Sequence, residues 1–214
     1  MSTVRMIYKN MFFLSAAEII SKILQFILMI YAARLLDKSS FGKFSFALSL
    51  SFIAIILADL GIHILLIREV ARNKNSANKY FINAFAAKLV LALITYIFIA
   101  IFINVVNYPK DTRHIVYVIL IFAILSSFTD LYYSIFRAFE KMFYDSLIKV
   151  LRMIILTSAG LYILFRYHDA LIFSFTFILA EALILILAYF IASKKFIKIR
   201  WMIDKRFIFN ILKK

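Results

Sequence analysis

Several ionisable side chains lie inside long apolar runs, and their spacing is regular. Glu18, Lys22 and Gln25 stand at i, i+4 and i+7, so a helix puts all three on one face. Ser45, Ser49, Asp59 and His63 follow at offsets that, at about 100° per residue, also share one stripe. A third run carries Lys88, a fourth Ser126, Asp130, Ser134 and Arg137, a fifth opens on Lys149 and Arg152, and a sixth holds Ser174 and Glu181. A charge at the centre of a membrane helix costs ~2.5–3.5 kcal/mol on insertion scales, so it is retained there for a reason. With a rise of about 1.5 Å per residue, Glu18, Asp59, Lys88 and Asp130 fall about 10–13 Å from the same ends of their runs. The reading is a charged slab in the bundle interior, with Glu18, Asp59 and Asp130 neutralised by Lys22 and Lys88. Such a slab either fixes helix register as buried ion pairs or lines a polar path, and polar stripes on several helices favour the path. His63 reads as an interfacial hydrogen bonder, and Tyr132, Tyr133 and Tyr144 as lipid or interface anchors.

Other chemistries have no residues to carry them. There is no Cys, which removes disulfides, thiol nucleophiles, Fe–S clusters and Cys-type zinc sites. The three His residues (His63, His114, His168) form no ligand pair, and no dense acidic loop offers a metal site. The chain has no phosphate-binding P-loop, no H-E-x-x-H and no G-x-S-x-G. No catalysis, metal or cofactor is expected.

The elements that must position these charges follow from composition. Of 214 residues 65% are hydrophobic and 17% charged, and mean hydropathy is +0.95; a soluble domain has roughly 45–50% and 25%. Six apolar runs, at about 11–33, 41–67, 80–106, 115–136, 147–165 and 170–192, are each long enough to cross a hydrocarbon core of ~30 Å as a helix. They are continuously apolar, not alternating, so a β-barrel does not fit. The fold class is an all-α six-helix membrane bundle over residues 1–193, and the short loops place sequential helices side by side, antiparallel.

The formal net charge is +15. In a membrane chain that excess marks loops facing anionic lipid, not a nucleic-acid surface. Eighteen Lys and Arg gather on one side against six on the other, with Lys22 and Lys88 inside spans. The positive-inside rule then puts both termini in the cytoplasm. Residues 194–214 mix basic and apolar side chains. They read either as an amphipathic helix in the headgroup layer or as a linker to a second bundle.

Three segments resemble one family. Ala33-Arg-Leu-Leu-Asp-Lys-Ser-Ser-Phe-Gly-Lys-Phe-Ser-Phe-Ala-Leu48 looks like the signature at the end of its first span and the start of its second, with Arg34, Phe41 and Gly42 matching. Leu57-Ala-Asp-Leu-Gly-Ile62 with Arg68-Glu-Val-Ala-Arg72 is similar to its span-two motif, matched by Asp59, Gly61 and Arg68. Phe136-Arg-Ala-Phe-Glu-Lys-Met-Phe-Tyr144 resembles a cytoplasmic loop, matched by Arg137 and Lys141. Together they resemble the polysaccharide-biosynthesis flippases (Wzx-like oligosaccharide exporters) of the multidrug/oligosaccharidyl-lipid/polysaccharide superfamily. The resemblance implies a protein of the cytoplasmic membrane that flips lipid-linked oligosaccharide outward, built from two six-helix lobes around a central cavity. Six spans correspond to the N-terminal lobe, so the expectation is a half-transporter or truncated frame that pairs with a second lobe or a second copy. A diphosphate headgroup needs cations. Lys22, Gln25, Lys88, Arg137 and Arg152 are therefore the substrate candidates, and Glu18, Asp59, Asp130 and Glu181 those for charge balance or a coupling ion. The rival readings are a cation-coupled small-molecule antiporter lobe and a non-transporting membrane subunit.

Overall fold

A computed structural model describes residues 3–198, with side chains from Tyr8 onward. These residues form seven α-helices: α1 (Thr3–Leu35), α2 (Lys38–Asp59), α3 (Ile62–Arg72), α4 (Ala77–Val105), α5 (Lys110–Ala138), α6 (Met142–Tyr167) and α7 (Ala170–Lys195). All but α3 are long and apolar enough to cross a membrane. The chain is a multi-pass, all-α membrane bundle.

Local sequence explains where the helices begin. Asp37 accepts hydrogen bonds from the Ser39 and Ser40 N–H groups at 2.9 and 3.0 Å, and Asp169 accepts one from Ile172 at 2.9 Å. Each carboxylate thus satisfies donors left free at a helix start. Pro109 precedes α5, where its missing N–H is no loss. Between α3 and α4, Asn73 Oδ1 accepts from Asn75 N–H at 3.1 Å and shapes the single 3-10 turn Lys74–Ser76.

The second span is not the continuous run over 41–67 that hydropathy suggests. Leu60 (φ 43°) and Gly61 (φ 83°) are both left-handed and stop α2 at Asp59. Gly takes that conformation freely, whereas a residue with a Cβ resists it. The 22 residues of α2 rise about 33 Å and span the core alone. Beyond the break, α3 packs Ile62, Leu66 and Val70 against α4 and α5 and leaves Ile64 and Arg68 exposed.

Helix α5 is the axis of the bundle. One core gathers Leu66, Phe81, Tyr132, Phe136 and Ile184 around it; the other gathers Leu28, Phe44, Ile99, Ile119 and Phe173. Tyr132 and Tyr133 belong to this interior and not to an interfacial belt. Sequential order also fails to predict neighbours throughout. Helix α1 packs along α6 and scarcely touches α2, despite the two-residue link between them. Gly160 lets α1 and α6 approach: a Cβ there would lie 2.9 Å from Leu28 Cδ1 and 3.0 Å from Phe173 Cε2. After α7, Phe196 packs on Phe136, Phe139 and Tyr144. Residues 199–214, which carry most of the expected amphipathic tail or linker, lie outside the described residues.

Candidate functional site

Five spans meet around a cavity of about 220 Å³. Helix α1 contributes Lys22 and Gln25, α2 Ser51, α5 Ser126, α6 Arg152 and α7 Glu181, with Leu28, Phe122, Met153, Leu156 and Phe177 forming apolar walls. The exposed lining residues, Lys22 and Phe52, mark its open side in the gap between α1 and α2. Arg152 and Glu181 lie near the midpoints of α6 and α7 and pair through Arg152 Nη1 and Glu181 Oε2 at 3.3 Å. The pairing is incomplete. Arg152 Nε and Glu181 Oε1 are buried without hydrogen-bond partners among the described residues. A guanidinium offers five donors in a planar fork, so this one has capacity left for an anion.

A second cluster stands apart from the cavity. Lys88 Nζ, fully buried, donates to Asp59 Oδ1 at 2.5 Å. Asp59 Oδ2 accepts from Gly61 N–H at 3.2 Å and pairs with His63 Nδ1 across the break between α2 and α3. Lys88 does not reach the cavity lining. Asp130, on α5, lies within electrostatic reach of both clusters, sensing Lys88 and Asp59 on one side and Arg152 and Glu181 on the other.

Glu18 and Lys22 do not enter the interior as the slab reading expects. They face each other along α1 at 4.0 Å, with 57% and 68% of their side chains exposed. The reason is the position of α1 at the edge of the bundle, supported mainly by α6. Several hydroxyls expected along a polar path close on their own helix instead. Ser49, Ser134 and Ser174 donate to the carbonyls of Ser45, Asp130 and Ala170, a bond that satisfies a hydroxyl within its own helix.

Arg137 sits at the end of α5 and donates through Nε to Asp145 Oδ2 at 2.6 Å, away from the cavity. Lys149 Nζ lies 3.3 Å from the other oxygen of that fully buried carboxylate. Asp145 is a buried charge outside the set that the apolar runs point to. Its signal was present in the i, i+4 spacing to Lys149, but its place just after a loop made it look peripheral. The remaining family-motif residues are exposed or half-buried near helix ends. Arg34 closes α1, Phe41 and Gly42 lie in the first turns of α2, Gly61 forms the break, Arg68 donates to Glu69 at 3.0 Å, and Lys141 N–H closes the α5–α6 turn on Phe136 O at 2.8 Å. Among the described residues no group of three His, Asp or Glu side chains is arranged to hold a metal.

No curated protein and no solved structure matches the chain. A family model described as "Polysaccharide biosynthesis protein" matches residues 7–214. That match takes in all six spans, the break after Asp59 and the cavity, and the chain belongs to this polysaccharide biosynthesis protein family.

Proposed function

We propose that the chain is one lobe of an exporter that moves lipid-linked oligosaccharide across the cytoplasmic membrane, with both termini in the cytoplasm. The cavity binds the anionic headgroup through Lys22 and Arg152, with Gln25 as a neutral donor. The observation that carries this reading is the cavity itself: two cations, Arg152 with an unpaired donor and Lys22 at the open side, on a largely apolar pocket between five spans. A volume of about 220 Å³ is small beside the roughly 300–1,000 Å³ of ordinary ligand pockets. It suits a diphosphate better than a glycan, which would then occupy space outside this lobe. Exposure of the Glu18–Lys22 pair at membrane depth supports a second lobe or a second copy facing α1.

The test is export in cells with the complete transporter. Lys22→Gln and Arg152→Gln should each lower the lipid-linked oligosaccharide reaching the outer leaflet by about tenfold, the scale of one charge-assisted contact, with the protein still in the membrane. If both variants export normally while Asp59→Asn abolishes transport, the headgroup assignment is wrong and cation-coupled antiport replaces it. A cysteine introduced at Ser76 should react with an impermeant thiol reagent only from the cytoplasmic side.

A further inference from the structure

Buried polar atoms without partners are not scattered through this bundle. Six occur among the described residues: Ser21 Oγ, Tyr133 Oη, Asp145 Oδ1, Ser146 Oγ, Arg152 Nε and Glu181 Oε1. Tyr133, Asp145, Arg152 and Glu181 carry four of them, where α5, α6 and α7 meet. Asp145, Lys149 and Arg152 follow one another at i, i+4 and i+7 on α6, so they share a stripe. Tyr133 and Arg137, also four residues apart, face that stripe from α5: Arg137 pairs with Asp145, and Lys149 Nζ stands 5.5 Å from the Tyr133 ring centroid. Tyr133 lies within electrostatic reach of both Asp145 and the Arg152–Glu181 pair. At one end is the cavity, through Arg152 and Glu181. At the other, Arg137 and Lys149 are partly exposed, with 32% and 21% of their side chains accessible.

Each buried polar group left unsatisfied is unfavourable, and native proteins satisfy such groups with protein or with ordered water. Four orphans along one seam are not relieved by moving one side chain. Lys149 Nζ, for example, is only 3.3 Å from Asp145 Oδ1 but is not aligned to bond it. Water suits the place, because an internal water needs two to four polar partners and the seam supplies them at every step. From Asp145 to Arg152 the rise along α6 is about 10 Å, the length of three or four waters at hydrogen-bond spacing.

We infer that the seam between α5, α6 and α7 holds a chain of internal waters that joins the cavity to the α5–α6 end of the bundle. The bridging groups are Asp145, Tyr133, Arg152 and Glu181. The waters hydrate the Arg152–Glu181 pair from the α5–α6 end of the bundle. This inference holds whatever cargo the cavity takes.

X-ray hydroxyl-radical footprinting of the wild-type chain in nanodiscs tests it, because radicals form at bound water and oxidise the ring beside it. Tyr133 should be hydroxylated at least about tenfold faster than Phe44 and Phe173, rings equally sealed but in the apolar core. Hydroxylation of Tyr133 at the rate of Phe44 and Phe173 overturns the proposal.

Discussion

Neutralising Asp59 should destabilise the bundle far more than removing the lysine it holds. Asp59 serves three donors: Lys88 Nζ at 2.5 Å, Gly61 N–H at 3.2 Å, and His63. Lys88 is fully buried, and Asp59 is its sole hydrogen-bond and ion-pair partner among the described residues. Asp59→Asn therefore leaves an ammonium group in the interior without its paired anion, with Asp130 only at longer range. Losing one partner of a buried pair costs ~3–5 kcal/mol. Lys88→Met, which fills the same space, leaves the carboxylate with Gly61 and His63, so its cost should be ~1–3 kcal/mol. In the double variant the stranded charge is gone, and stability should recover by roughly 2 kcal/mol relative to Asp59→Asn alone, within the range of coupled neighbours. The assay is reversible unfolding of the purified chain in mixed SDS and mild-detergent micelles, followed by circular dichroism at 222 nm. Two results would refute the reasoning: Asp59→Asn costing less than Lys88→Met, or a double variant no more stable than Asp59→Asn.

Two further outcomes follow from local geometry. Gly160→Val should lower the thermal midpoint in detergent by the equivalent of ~1–3 kcal/mol, the usual penalty of overpacking, and Leu28→Ala in the same chain should restore part of it, since Leu28 Cδ1 is the nearest atom met. Hydrogen bonds from Ser40 hold the Asp37 carboxyl below the usual aspartate range. Because the folded value is the lower one, the cap stabilises α2 fully above the ordinary aspartate range, and this is lost as pH falls through the folded value; the protection of the Ser39 and Ser40 amides, taken relative to the intrinsic exchange rate at each pH, should fall on acidification, and in Asp37→Ala it should be low at every pH.

Hydropathy located the six spans because each must be apolar for about 30 Å, a requirement that acts on every residue of the run. It passed over the break at Leu60–Gly61, since both residues are compatible with an apolar run and the stop is made by backbone dihedrals. Charge reading brought Asp59 and Lys88 to similar depth, and the fold pairs them. Depth, however, does not give azimuth. Whether a helical face meets lipid or protein depends on which helices pack together, and the α1–α6 partnership rests on Gly160, Leu28 and Phe173, which carry no polar pattern. Lys22 and Glu18 therefore came to the edge of the bundle when the interior was expected. Asp145 reads as peripheral in the sequence for the converse reason: it lies four residues into α6, yet the helices around it bury it completely.

The central claim is that the cavity selects an anionic lipid headgroup through Lys22 and Arg152. Native mass spectrometry of the purified chain with equimolar polyprenyl diphosphate and polyprenol addresses it, because the two lipids differ only in the headgroup. The account predicts that the wild-type chain retains the diphosphate in preference to the alcohol, and that Lys22→Gln with Arg152→Gln brings the two lipids to equal occupancy. Equal binding by the wild-type chain, or an undiminished preference in the double variant, would contradict it.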